Sequence, residues 1–166
     1  MTIYSVGYGN RGFEAFLNLI RSFQITHLVD VRSVPQSSYW EDFRRERLQL
    51  LLRDTEIKYV YMGDTLGGVQ DSPILCKDPD SVDIAPLREE PKLKLGMRKL
   101  VESATHAERR ICLMCGCMRP HQCHRSRLLG PEILLAGVEY LHIDSDGSLK
   151  PQSQIEAEAA PQASLF

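Results

Sequence analysis

Arg110-Ile111-Cys112-Leu113-Met114, running into Cys115-Gly116-Cys117-Met118-Arg119-Pro120-His121-Gln122-Cys123-His124-Arg125, is the stretch on which the fold turns. The first five residues form a short apolar run, the pattern of a buried strand. The next eleven contain Gly and Pro and read as a loop. A helix is expected over 124–136. Strand, loop and helix in this order belong to a chain that alternates the two element types, and such chains form parallel sheets through right-handed crossovers.

The pattern recurs on both sides. Ile3-Tyr4-Ser5-Val6 reads as a strand, Gly7-Tyr8-Gly9-Asn10 as a glycine-marked loop, and Phe13, Phe16, Leu17 and Ile20 recur at helical spacing. His27-Leu28-Val29-Asp30-Val31 is a second strand, 41–53 a helix, and Lys58-Tyr59-Val60-Tyr61-Met62 a third strand. Residues 64–91 are irregular and punctuated by Gly67, Gly68, Pro73, Pro79, Pro86 and Pro91. A helix over 92–107 precedes the opening stretch, and Glu139-Tyr140-Leu141-His142-Ile143 closes the sheet. The expected fold is α/β: a mostly parallel five-stranded sheet flanked by helices, Rossmann-like and three-layered, over residues 1–148. From Leu149 onward Pro, Gln, Ser, Glu and Ala dominate, so 149–166 is expected to be a disordered tail.

The totals bound the function. A chain of 166 residues suits one domain. Its net charge of −2 argues against coating nucleic acid by bulk electrostatics, which needs a basic stripe. No membrane span and no secretory leader are legible, so the expected location is the cytoplasm. Cys76, Cys112, Cys115, Cys117 and Cys123 are odd in number, and four of them cluster, which points to metal or reactive-thiol chemistry rather than disulfides.

In open α/β sheets ligands bind beyond the carboxyl ends of the strands. The loops at Gly7, Arg32 and Cys115 are therefore expected at one edge, bringing Asn10, Arg32, Ser33, Cys115 and Cys123 together. A thiol at a helix start loses its proton more readily, and Arg119 and Arg125 add positive charge. The loop can be read as a buried structural turn, as a zinc site of Cys115, Cys117, Cys123 and His124, or as a catalytic or anion-binding loop. The packing of ligands into one short loop departs from the usual paired zinc spacing. The catalytic reading is adopted, with no metal and no cofactor expected. Cys115 or Cys123 would be the thiolate, His124 the acid–base, and Arg125 and Arg32 the anion grips, with Asp30 orienting Arg32 or acting as a second acid–base group. Gly7, Tyr8, Asn10, Ser33, Gly67, Gly68 and Arg119 are the expected ligand-binding residues. His142, inside a strand, reads as a satisfied core histidine.

Several of these segments together resemble the family catalogued as domain of unknown function 488. The matching residues are Gly7-Tyr8-Gly9-Asn10, Val29-Asp30-Val31-Arg32-Ser33 with Pro35, Leu66-Gly67-Gly68, the set Cys115, Pro120, Cys123, His124 and Arg125, and His142-Ile143. The resemblance spans residues 3–143 and implies an α/β fold with a shared site; it names no reaction. Two departures stand out. Cys117 occupies the position where the family signature usually carries Glu, and a Tyr- and Met-containing stretch is missing from 78–91.

Gln162-Ala163-Ser164-Leu165-Phe166 resembles the pentapeptide through which bacterial DNA repair and replication proteins bind the sliding clamp: Gln, Leu, Ser or Asp, Leu, Phe. Gln162, Ser164, Leu165 and Phe166 agree with it, and Ala163 does not. The expected function is thus a DNA- or nucleotide-acting protein, recruited to DNA by the clamp and working through a Cys/His/Arg site. The alternatives are a non-enzymatic adaptor for DNA or protein, and a thiol-dependent enzyme handling small molecules or sulfur.

Overall fold

A computed structural model describes residues 1–67 and 83–159. Cys76 and Gly68, and the pentapeptide residues Gln162, Ser164, Leu165 and Phe166, lie outside the described residues.

The elements in chain order are β1 (Thr2–Gly7), α1 (Phe13–Ser22), β2 (His27–Asp30), a 3-10 turn (Glu41–Phe43), α2 (Arg45–Arg53), β3 (Lys58–Tyr61), α3 (Gly63–Leu66), α4 (Ala85–Arg88), α5 (Pro91–Ala104) and β4 (Ile111–Cys115). A 3-10 turn (Pro120–Gln122), a π-helical turn (Arg125–Leu129), α6 (Gly130–Leu135), β5 (Glu139–Ile143), β6 (Leu149–Pro151) and α7 (Gln152–Ala159) follow.

The strands lie in the order β3-β2-β4-β1-β5-β6. The first five are parallel, and β6 pairs antiparallel with β5 through His142↔Lys150 and its neighbours. The expected mostly parallel five-stranded sheet is therefore corrected to a mixed sheet of six strands. The sixth is Leu149–Pro151, in the segment expected to be disordered. Asp146-Gly147 makes a tight turn, with Gly147 at φ +82°, that returns the chain along β5. In α7, Gln152 and Ile155 are buried, so this polar segment is tied down at two points. Its composition hid that, because two anchors in eleven residues barely change an average.

β1 and β4 are the central strands and are buried along nearly their whole length, as their apolar runs require. Each face of the sheet packs its own helices. Ile3, Val29, Ile111 and Leu113 meet Leu93, Met97 and Leu100 of α5 and Ile133 of α6. Tyr4, Val6, Leu28 and Met114 meet Phe16 and Ile20 of α1 and Leu48 and Leu52 of α2. This is the three-layer arrangement. The helix expected from His124 begins instead as a π-helical turn, and regular α-helix starts only at Gly130. Pro131 lacks the backbone N–H that would close the ordinary bond to Arg127, so the α-ladder cannot run unbroken through this point. Among the described residues no helix is long and apolar enough to cross a membrane.

Candidate active site

The parallel register brings Gly7 beside Cys115, and Val31 N–H donates to the Met114 carbonyl at 3.1 Å. The carboxyl ends of β1, β2 and β4 thus form one edge, as expected. A Cβ at Gly7 would run into the Cys117 carbonyl, and one at Gly9, which sits at φ +45°, would run into Met118. The close approach that these glycines permit is that of the cysteine loop itself. Tyr8 N–H donates to the Cys115 carbonyl at 3.0 Å, and Gly9 N–H to the Gly116 carbonyl at 3.1 Å, which staples the two loops together.

Cys115, Cys123, His124 and Arg125 converge, and all four are buried, with exposures of 6, 0, 4 and 1 %. His124 Nε2 donates to the Val31 carbonyl at 3.0 Å, since a carbonyl can only accept. That leaves Nδ1 facing the two sulfurs, 3.7 Å from Cys123 Sγ and 4.0 Å from Cys115 Sγ. Burial pushes the imidazole down, but the sulfurs of Cys123 and Cys115 more than offset it and hold His124 up at about 10. Arg125 Nε donates to Cys123 Sγ at 3.3 Å. Burial likewise works against the guanidinium charge, and the same two sulfurs outweigh it. Both cationic groups are thus stabilised by the sulfurs in a buried site. The three ligand atoms Cys115 Sγ, Cys123 Sγ and His124 Nδ1 lie within 4.8 Å of one another, so this trio could also hold a metal ion. Among the described residues, Cys112, Cys115, Cys117 and Cys123 are reduced cysteines.

Behind Arg125 runs a chain of hydrogen bonds whose directions can be assigned. Gln152 Nε2 donates to the Ser126 carbonyl at 3.0 Å and to Glu156 Oε1 at 2.8 Å, so its Oε1 is an acceptor. His142 Nε2 therefore carries the proton and donates to Gln152 Oε1 at 2.6 Å. His142 Nδ1 then accepts from the Ser5 hydroxyl at 2.6 Å, and Ser5 Oγ in turn accepts from Arg125 Nη1 at 2.9 Å. Burial first, and the Arg125 charge second, push His142 down to about 4, so the ring is neutral, as the chain of bonds requires. Arg125 Nη2 donates to the Cys117 carbonyl at 2.6 Å, which uses every nitrogen of the guanidinium.

Asp30 and Arg32 lie on the opposite face of the sheet. Arg32 donates to Asp30 twice, Nε to Oδ1 at 2.8 Å and Nη2 to Oδ2 at 2.6 Å, and Nη1 donates to the Phe43 carbonyl at 2.7 Å. Tyr59 completes the pair, donating to Asp30 Oδ2 at 2.7 Å. Tyr8 stacks on Phe43 with ring centroids 4.1 Å apart and lies under the Arg32 guanidinium. Asp30 and Arg32 do share a face, as their spacing predicts, but it is the face away from Cys115. Ser33 donates its hydroxyl to the Gly67 carbonyl. Asn10 and Arg119 are exposed.

Ser5, His142 and Gln152 were missing from the expected site. Ser5 carries a signal in retrospect, being a lone hydroxyl within a buried strand, where it must find a partner. Gln152 carries none, because the site groups it bonds, His142 and the Ser126 carbonyl, are 10 and 26 residues away.

The model of the family described as Domain of unknown function DUF488 matches residues 12–130. The chain belongs to that family. The match includes the whole cysteine loop and stops short of β5, β6 and α7, so Cys115, Cys123, His124, Arg125, Asp30 and Arg32 are within it, while His142 and Gln152 are beyond it. No curated protein and no solved structure matches the chain.

Proposed function

We propose that this chain is a cysteine-dependent enzyme acting on DNA or a nucleotide-like anion at the Cys115–Cys123–His124–Arg125 centre, and that the sliding clamp brings it to DNA through Gln162, Ser164, Leu165 and Phe166. The observation that carries the reading is the convergence of two sulfurs on one imidazole nitrogen, with a buried guanidinium on the second sulfur, at the edge of the sheet where α/β folds place ligands. Groups of this kind are rarely buried together without chemical use. The supporting geometry also redistributes the expected roles. Arg32 is engaged by Asp30 and the Phe43 carbonyl and acts on the fold. Arg125 acts on the sulfurs, and its field favours an anion without gripping one. Arg119, exposed on the same loop, is the cation placed to meet an anionic ligand directly.

The DNA assignment comes from the terminal pentapeptide. A chain of net charge −2 gains little from direct attraction to phosphates, and a tether to a clamp encircling DNA supplies local concentration instead. Two experiments test the two halves. Cys115→Ala and Cys123→Ala should abolish turnover on damaged or modified DNA and on nucleotides, and retained turnover would sink the cysteine-dependent reading. Deletion of residues 162–166 should abolish capture by purified clamp, and undiminished capture would remove the DNA link. The burial of the centre favours one competing reading, a non-enzymatic adaptor, which predicts tight binding with no product formed by any variant.

A further inference from the structure

We propose that Cys115 Sγ, Cys123 Sγ and His124 Nδ1 ligate a single soft divalent cation, of which zinc is the type case, leaving one coordination position for a hydroxide or a substrate oxyanion. This deepens the reading of the cluster as the working centre and is independent of the link to DNA.

The first argument is distance. Metal–sulfur bonds of about 2.3 Å and metal–nitrogen bonds of about 2.0–2.1 Å at tetrahedral angles put sulfur and nitrogen about 3.6 Å apart. The two sulfur–nitrogen distances here are 3.7 and 4.0 Å, and all three ligand atoms lie within 4.8 Å of one another. The sulfur–nitrogen pairs need shifts of a few tenths of an ångström, and the two sulfurs, at most 4.8 Å apart, close to about 3.8 Å through movements of at most about half an ångström each. The second argument is the far side of the imidazole. A ligating histidine typically donates its other N–H to a backbone carbonyl or carboxylate, which fixes the tautomer and aims the lone pair. His124 does this through Nε2 and the Val31 carbonyl at 3.0 Å. The third is ligand type: two thiolates and an imidazole select zinc and similarly soft ions over magnesium or calcium.

Charge decides the fourth position. Two thiolates and a divalent cation sum to zero, and buried Arg125, with Nε on Cys123 Sγ, leaves one positive charge in excess. An anionic fourth ligand restores neutrality, whereas a fourth thiolate or carboxylate from the protein would fill the site permanently. Three protein ligands with an open position is the layout of catalytic zinc rather than structural zinc. Tyr140 lies beside this group with its hydroxyl buried, close to Ser5 and Arg125. On binding, two metal–sulfur bonds and one metal–nitrogen bond form. The protons displaced from the sulfurs, and any on Nδ1, pass to solvent.

The test uses the full chain, purified reduced from zinc-supplemented medium, with metal measured by elemental mass spectrometry and then replaced by cobalt(II). The expected result is about one zinc per chain, and a cobalt form with sulfur-to-metal charge transfer in the near ultraviolet and intense tetrahedral bands in the visible. Cys117→Ser should keep both signals, while Cys123→Ser and His124→Ala should weaken metal affinity by tenfold or more, about the loss seen when even a supporting partner of a ligand is removed. Should those two variants not fold, the cobalt spectrum of the unaltered chain decides by itself, since its sulfur band and tetrahedral bands report ligand type and number. A folded chain that takes up no zinc and gives a featureless cobalt spectrum overturns the proposal, and so does full metal uptake by folded His124→Ala. Zinc binding without any turnover would leave this site standing and sink the proposed function. Turnover that needs Cys115 in a zinc-free chain would do the reverse.

Discussion

His142 is held neutral by geometry on both of its nitrogens, and its titration is a stability term. In the unfolded chain it titrates near 6.5, and in the fold it is pushed down to about 4. The folded state binds fewer protons between these values, so stability is fully present above pH 6.5 and falls as pH drops from 6.5 to 4. The expected loss over that window is at most about 3 kcal/mol. Urea melts from pH 7 to pH 4 should show it, and His142→Gln should flatten this part of the profile. Gln152→Ala removes the partner of His142 Nε2 and of the Ser126 carbonyl, leaving two buried groups unsatisfied, for an expected loss of about 2 kcal/mol or more at neutral pH. On the other face, Arg32→Ala strands the Asp30 carboxylate in the core. Breaking a buried pair in this way costs about 3–5 kcal/mol, whereas Tyr59→Phe removes one bond to the same carboxylate and costs about 1–2 kcal/mol. Equal, small effects in denaturant melts would show that Asp30–Arg32 is not the structural pair described here.

Among the elements, the loop between β1 and α1 and the cysteine loop after β4 behave as one unit. Two backbone bonds join them, and at Gly7 their backbones pass too close for a side chain. Gly7 needs no unusual backbone angle, so Gly7→Ala tests contact alone. It should displace Cys117 and Met118, destabilise by about 1–3 kcal/mol, and disturb Arg125, whose Nη2 rests on the Cys117 carbonyl. A wild-type melting curve for Gly7→Ala would contradict that packing. At the other end, α7 buries Ile155 and bonds through Gln152 to His142 of β5 and to the Ser126 carbonyl of the π-helical turn. Gly130 lets it in, because a side chain there would occupy the space of the Gln152 amide. Ile155→Ala should cost about 2 kcal/mol or more and increase hydrogen exchange in β6 and α7, whereas a freely fraying terminus would show neither change.

For the whole molecule, the sheet separates two sets of charged residues that sequence spacing had merged. Asp30 and Arg32 stabilise one layer, and Cys115, Cys123, His124 and Arg125 occupy the other. A net charge of −2 does not favour DNA, so under the proposed function DNA association depends on the clamp. Crosslinking to DNA should rise when clamp is loaded and fall back to the clamp-free level when residues 162–166 are removed. A chain that crosslinks equally well with and without clamp would rule out recruitment by the tail.

The sequence by itself determined the alternation of strands and helices, the edge at which the cysteine loop sits, and the identities of the four residues that converge there. Local hydrophobic period and strand order suffice for the first two, because a side chain's layer follows from its parity along a strand, while the four residues stand out, within a wider candidate set, by their chemistry and by the family resemblance. Parity also put Asp30 and Arg32 on one face. What it could not say was that Cys115, one strand over, faces the other way, since that depends on the register of β2 against β4. Only the tertiary structure decided that β6 and α7 close the fold, that Gln152 reaches His142, and that Nδ1 of His124 looks at two sulfurs at once. Each of these is set by contacts between residues distant in sequence or by the rotation of a single ring, and neither leaves a periodic trace in the chain.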